Sequence, residues 1–327
     1  MAKVAVVALG GNAIIRSGQT GTFAEQWSNA IAMVTAVCRL RAYGWTVVVV
    51  HGNGPQIGNL AVQQEAGTRQ VPELPLFMLG AMTEGQVGSL LSLAMWSACG
   101  DKLPGVVSVV THVVVDEADP AFGAPTKPIG PFLSEAEARR QAADRGWVVG
   151  QDAGRGFRRL VASPKPVRIV ELDAVRSLVD RGFMVVAAGG GGVPVVPADV
   201  GYRGVEAVID KDFAAQRLAT SLGAEALALV TDVPRVMLDF GTQSARPISE
   251  ISVAQARAYE AEGHFPPGSM GPKMRAAIQF LDEGGGVSVI TNADRLCVSL
   301  GADTSSGVED SGTRVVAVAE DQLGGPS

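Results

Sequence analysis

Residues 27–55, WSNAIAMVTAVCRLRAYGWTVVVVHGNGP, carry a helix, its stop and a strand in succession. Trp27, Ile31, Val34 and Cys38 recur at helical spacing, and Gly44 falls where a helix C-cap belongs. Thr46–Val50 is then an unbroken β-branched run that opens onto His51-Gly-Asn-Gly-Pro55. Upstream, Val4–Leu9 is a second apolar run, ending at Gly10-Gly11, so the segment closes a β-α-β unit. Val106–Val110, Met184–Ala188, Ala226–Val230 and Val287–Ile290 repeat the pattern. Continuous rather than alternating apolar runs predict strands buried on both faces, hence an α/β fold with a mostly parallel sheet covered by helices and ligands at the carboxyl ends of the strands.

Composition agrees with such a core. The chain has 327 residues, 47% hydrophobic and 18% charged, enough for two domains or one large α/β unit. A net charge of −6 offers no basic footprint for nucleic acid or an anionic membrane, so an anionic ligand has to be met by cations placed locally. No apolar stretch reaches membrane-spanning length, and Val4–Leu9 is too short for the core of a signal peptide. Cys38, Cys99 and Cys297 are far apart in apolar contexts; they predict unpaired core residues in a reducing compartment, the cytoplasm.

Three predicted strand ends carry glycine: Leu9-Gly-Gly-Asn12, His51-Gly-Asn-Gly-Pro55 and Ala188-Gly-Gly-Gly-Gly-Val193. Glycine lets backbone N–H groups approach an anion with no Cβ in the way, and three such loops on one sheet edge predict a phosphate or carboxylate cradle. It is not a P-loop, since no G-x-x-x-x-G-K-[ST] is present. Gly52–Gly58 has glycines at suitable spacing for a dinucleotide loop, but Pro55 interrupts it and no ribose-binding acid follows.

The cations are 21 Arg and six Lys. Lys211 stands between Asp210 and Asp212 at a strand-to-helix junction, where a cation is either solvated or held against an anion. Lys127 lies in a Pro- and Gly-rich insert, Asp116 to Pro166, that contains a capped helix at Ser134–Arg145; an insert of this length predicts a lid or accessory subdomain. Lys273 sits beside Pro272 near the start of an apolar helix, Met274–Leu281, where a cation is awkward unless a phosphate lies between it and the helix end. Met82, Val87, Leu90, Leu91 and Met95 mark a buried or dimer-facing helix.

Taken in order, these segments resemble carbamate kinase over nearly the whole chain. The resemblance is carried by Leu9–Ala13, His51–Asn59, Ala81-Met-Thr-Glu-Gly85, Pro125-Thr-Lys-Pro-Ile-Gly-Pro-Phe132, Asp152-Ala-Gly-Arg-Gly156, Gly189–Pro194, Glu206–Phe213 and Phe265–Lys273. It implies the amino-acid kinase fold, an open αβα sandwich, and usually a homodimer. An acceptor lobe would span 1–204 with the lid at 116–166, a nucleotide lobe 205–318, and a disordered tail 319–327. The wider superfamily often ends its first strand with Lys-x-Gly-Gly, where this chain has Ala8-Leu9-Gly10-Gly11; in the carbamate kinase pattern Lys211 supplies that charge.

By the same resemblance Lys127, Lys211 and Lys273 contact the transferring phosphoryl group and Asp212 holds the lysines in place. Asp210 serves Mg²⁺ or the turn. Gly10, Gly11, Asn12, Gly52, Asn53, Gly54, Gly190 and Gly191 line the substrate and phosphate side. Thr231, Asp232, Val233, Phe265, Pro267, Gly268, Ser269 and Met270 border the nucleotide. The cofactor would be Mg²⁺ carried mainly by ATP or ADP, with no metal ligand of the chain assigned. Carbamate is already an anion, so its attack on ATP needs no base, and His51 is expected to orient the cradle or to pack. The rivals are an acetylglutamate or UMP kinase of the same fold, which Ala8 and the insert oppose, and a non-catalytic nucleotide sensor, which the retained lysines oppose.

Overall fold

The computed structural model describes residues 3–10, 14–16, 18–100, 103–151, 156–304 and 311–318. In chain order the first half runs β1 (Val4–Leu9), α1 (Phe23–Ala42), β2 (Thr46–His51), α2 (Gly54–Gly67), α3 (Leu76–Cys99), β3 (Val106–Ser108), β4 (His112–Val115), β5 (Lys127–Leu133), α4 (Glu135–Arg145), β6 (Val148–Gln151), β7 (Phe157–Val161) and β8 (Pro166–Ile169). The second half continues with α5 (Leu172–Asp180), β9 (Met184–Val186), β10 (Val193–Pro197), β11 (Tyr202–Gly204), α6 (Lys211–Leu222), β12 (Ala226–Val230), β13 (Met237–Leu238), β14 (Arg246–Pro247) and β15 (Glu250–Ser252). α7 (Val253–Ala261), α8 (Met270–Asp282), β16 (Val287–Thr291), α9 (Leu296–Ser299) and β17 (Thr313–Val316) complete it.

The main sheet has the order β15-β17-β16-β12-β1-β2-β9-β3, parallel except where β17 runs against β16. Its central strands are buried on both faces, as the unbroken apolar runs predict. Val6 and Ala8 of β1, Val48 and Val50 of β2, and Leu227 and Leu229 of β12 enter one core with α5, α6 and α8. Ala5, Val7, Leu9, Val47, Val49, Ala226 and Ala228 enter the other, under α1 and α3. Helices on both faces make the layers αβα.

A second sheet, β11-β10-β4-β8, adds its apolar side to the first core through Val113, Val115, Ile169 and Val196. Sequence pattern alone does not reveal it, because Arg or Pro breaks the apolar run in β8, β10 and β11. Within the predicted insert, β5, β7 and β6 form an antiparallel sheet backed by α4, whose Ser134 and Glu137 close the expected capping box. Arg158 and Arg159 alternate across β7: Arg158 donates its Nε to the Gly130 carbonyl at 2.8 Å, and Arg159 lies 4.8 Å over the Trp147 ring. The insert meets the body where β5 crosses α2, and there Gly58 and Gly130 touch backbone to backbone.

β2 and β16 each run one residue past the sequence reading, to His51 and Thr291, and three other boundaries shift further. β9 stops at Val186 rather than Ala188, because Ala188 already has φ 50° and begins a turn. β3 stops at Ser108 rather than Val110. α8 starts at Met270 rather than Met274, since Pro272 is tolerated in the first turn, where its missing N–H is no loss.

The cysteine expectation is corrected. Cys38 and Cys99 form a disulfide with Cα atoms 5.4 Å apart, and only Cys297 is free. α1 and α3 pack side by side on one face of the sheet, a proximity that a separation of 61 residues conceals. Closing a loop of that length constrains the unfolded chain by about 4 kcal/mol in the entropic account, with measured bonds giving about 2–4 kcal/mol. Reduction, or Cys38→Ser, is therefore expected to lower the urea midpoint, and a thiol count should rise from one to three on reduction in denaturant. An unchanged midpoint on reduction would show that the bond contributes nothing to stability. Among the described residues no helix is long and apolar enough to cross a membrane.

Candidate active site

The glycine loops belong to neighbours. β12, β1, β2 and β9 are adjacent and parallel, so the turns after them emerge along a single sheet edge. Gly10 ends the first of these strands, and Gly52 donates its N–H to the Leu9 carbonyl at 2.9 Å. Asn53 is the N-cap of α2 but spends its amide elsewhere, donating Nδ2 to Thr83 Oγ1 at 2.8 Å; Gly54 is the first helical residue. After β9 the turn Gly189–Gly191 presses Gly190 against the Asn53 amide and Gly191 against the Ile209 carbonyl, with no room for a Cβ at either. Gly11 and Asn12 lie outside the described residues.

Ile209 leads into Asp210-Lys211-Asp212. Asp210 is the N-cap of α6: its Oδ1 accepts the Asp212 N–H at 2.9 Å. An aspartate serves there because it meets an otherwise orphaned donor and its charge suits the positive end of the helix. Its Oδ2 accepts Lys127 Nζ at 2.6 Å, which ties β5 to the body. Of the two roles open to Asp210 in the sequence, the turn is the one the geometry displays.

Asp212 takes the other two lysines. Its Oδ1 accepts Lys211 Nζ at 2.8 Å and its Oδ2 accepts Lys273 Nζ at 3.0 Å. The Asp212 side chain is 4% exposed, those of Lys211 and Lys273 12% and 11%, so these are buried charges. Lys273 comes from the fourth residue of α8, and Asp212 supplies the counter-charge that a cation in that first turn demands. Lysines from three distant segments thus form one network: three cations against two carboxylates, with one positive charge in excess.

The electrostatics follow. Burial alone would raise the Asp212 carboxyl, but Lys211 and Lys273 outweigh it and hold the group below the usual carboxylate range. Asp210 is likewise driven down, with Lys127 and Lys211 overcoming its burial. For Lys211, burial pulls downward and the two aspartates win, so its ammonium is secured. Lys273 goes the other way: burial and the Lys211 charge lower it against the pull of Asp212.

Of the histidines, His51 packs within the cradle and the other two pair with carboxylates. His51 is wholly buried, with Nδ1 on the Gly52 carbonyl at 3.0 Å, and burial lowers its pKa to about 4, which leaves it neutral at pH 7. His112 pairs with Glu171 at 2.7 Å, and His264 lies between Asp239 and Glu262. Of the nucleotide-side residues, Thr231 follows β12 and donates its N–H to the Thr291 carbonyl at 2.8 Å. Asp232 is exposed and Val233 partly so, while Phe265 is buried. Pro267, Gly268 and Ser269 are exposed, and Met270 opens α8 with no side-chain cap on its free N–H groups. Among the described residues no cluster of three or more His, Cys, Asp or Glu could hold a metal ion.

The chain matches the amino acid kinase family over residues 3–292. It is 41% identical over 312 residues to the carbamate kinase of Pyrococcus furiosus, covering 94% of this chain and 99% of that one. The chain belongs to the carbamate kinases of the amino acid kinase family. Carbamate kinase 1 of Enterococcus faecium is 45% identical over 287 residues, 86% of this chain and 90% of that protein. The carbamate kinase from Giardia lamblia bound to AMP-PNP superposes with a TM-score of 0.86 at 37% identity, covering 96% and 98%.

In this carbamate kinase family member, sequence reasoning gave no role to two buried polar groups beside the cradle, Thr111 and Glu84, although Glu84 lies in the Ala81–Gly85 segment. Thr111 and Glu84 are 0% and 2% exposed, and Glu84 stands in an otherwise apolar face of α3. A carboxyl and a hydroxyl amid apolar neighbours were the available signal, since such groups are buried only where they are bonded.

Proposed function

We propose that the protein catalyses reversible phosphoryl transfer between ATP and carbamate, giving ADP and carbamoyl phosphate, with the flow toward ATP because carbamoyl phosphate is a strong donor. The observation that carries this reading is the gathering of Lys127, Lys211 and Lys273 by Asp210 and Asp212 beside the glycine loops. Two anions must be brought together, and charge on the migrating group must be stabilised. Buried, pre-positioned ammonium groups and loop N–H donors do both without reorganising. No base is required, which suits a site where His51 is buried and neutral and His112 and His264 pair with carboxylates. Burial and the Lys211 charge weaken the hold of Lys273 on its proton, and a bound phosphate would add to the support that Asp212 gives its ammonium form.

Asp210 and Asp212 are already engaged by lysines and a backbone N–H, which leaves them poor direct ligands. A Mg²⁺ ion therefore fits as one carried on the nucleotide phosphates, where it would neutralise charge between them. Within this reading 1–204 forms the acceptor lobe, 116–166 its lid and 205–318 the nucleotide lobe, and two copies associate as a homodimer in the cytoplasm, a location that no longer rests on unpaired cysteines since Cys38 and Cys99 are bridged.

A coupled assay of ATP formation from ADP and carbamoyl phosphate tests the proposal, run beside acetylglutamate and UMP as forward acceptors. ATP from carbamoyl phosphate alone supports it; activity confined to another acceptor, or nucleotide binding without turnover, overturns it. Lys127→Ala should raise the KM for carbamoyl phosphate about tenfold or more and lower kcat, since a charge-assisted contact is worth about 1.5–3 kcal/mol. Unchanged kinetics in that variant would make β5 a scaffold only.

A further inference from the structure

α3 presents two polar residues in succession to the cradle. Thr83 Oγ1 accepts the Asn53 amide at 2.8 Å and donates to the Gly80 carbonyl at 2.7 Å. Glu84 Oε2 accepts the Thr111 N–H at 2.7 Å. Thr111 in turn brackets the glycine turn: its Oγ1 accepts the Ala188 N–H at 3.0 Å, and its carbonyl accepts the Val193 N–H at 2.8 Å. One residue thus holds both ends of the segment in which Ala188 takes a left-handed φ of 50° and Gly190, Gly191 and Gly192 are left-handed too. A non-glycine residue in that region costs about 1–3 kcal/mol and persists only where its surroundings impose it.

The turn is a spacer between two loops. A side chain at Gly189 would strike the His51 ring, at Gly190 the Asn53 amide and at Gly191 the Ile209 carbonyl, one residue before the lysine-bearing segment. On the reading that this edge binds carbamoyl phosphate, the turn sets how far the Gly52–Asn53 loop stands from Lys211.

We propose that Thr111 and Glu84 are positioning residues for phosphoryl transfer, fixing through the Ala188–Gly192 turn the spacing between the acceptor loop and the Asp210–Asp212 lysine network. Neither touches the reacting atoms; both act through the turn. Glu84 is suited to a structural acceptor role. Burial pushes its carboxyl well above the usual range, with Glu171 adding to that against the pull of the Thr111 N–H. A glutamine in its place keeps an oxygen for the Thr111 N–H.

The test uses the full chain with ADP and carbamoyl phosphate. Thr111→Val removes the hydroxyl that holds Ala188, and Glu84→Met removes the acceptor behind it. Each should lower kcat by about 10- to 100-fold, the scale of a small misplacement of reacting groups, with the KM for ADP within about twofold of the parent. Thr111→Ser and Glu84→Gln keep the bonds and should stay within about threefold of the parent in kcat. Should Thr111→Val not fold, the Glu84 pair decides. Equal kcat in Glu84→Met and the parent overturns the proposal, as does an equal fall in Met and Gln or in Ser and Val. A parent that makes no ATP fails the carbamate kinase reading, whereas an active parent with indifferent variants fails this one alone.

Discussion

Lys211→Ala is expected to cut kcat by roughly 10²- to 10³-fold while the KM for ADP changes less than about threefold, the scale of losing one preorganised donor to a transition-state charge. The expectation rests on where the ammonium sits. Lys211 is the first residue of α6, nearly buried, and bonded to Asp212 rather than to solvent. Such a group is ordered before substrate arrives, and two aspartates keep it protonated. Its worth is therefore realised where charge develops on the migrating group, and a ground-state nucleotide gains little from it. Steady-state kinetics of ATP formation decide the matter. Equal losses in kcat and in nucleotide affinity would reassign Lys211 to nucleotide binding.

Asp212→Asn is expected to damage both stability and turnover. The parent carboxylate neutralises two buried ammonium groups, and removing one partner of a buried ion pair costs about 3–5 kcal/mol, because the charge left behind is uncompensated. Lys273, already lowered by burial and by Lys211, should give up its proton first. The pH dependence has a definite sign. Asp212 titrates below its ordinary value of 3.8 in the folded chain, so its stabilisation is full above that value and is lost as pH falls through the folded pKa. Urea unfolding of parent and variant between pH 7 and pH 3 should thus show a gap that narrows on the acid side. A gap independent of pH would falsify the assignment of Asp212 as the ionised organiser.

Much of the fold is legible in the chain because two-sided burial writes itself as unbroken apolar runs. Val4–Leu9, Thr46–His51 and Ala226–Val230 need no partner to be recognised. The strands of the second sheet carry no such mark, because Arg or Pro interrupts the apolar run in β8, β10 and β11. Contacts between helices are harder still. Cys38 and Cys99 meet only once α1 and α3 lie side by side, and local spacing says nothing of that. At the site, Lys211 was conspicuous through its two aspartates, and Lys273 through an electrostatic conflict that Asp212 resolves. Thr111 was harder to read: two of its four bonds use its own backbone and leave no trace in the side-chain pattern.

The meeting of Gly58 and Gly130 bears on how this chain can be recombined with its relatives. A methyl at 58 would overlap the backbone at 130, and Gly130 itself holds φ 78°, which a side chain would strain. The two positions are therefore coupled through one contact. A chimera that grafts another insert between β4 and β8 has to bring a glycine to 130 and find one waiting at 58, or its Lys127 will arrive displaced from Asp210.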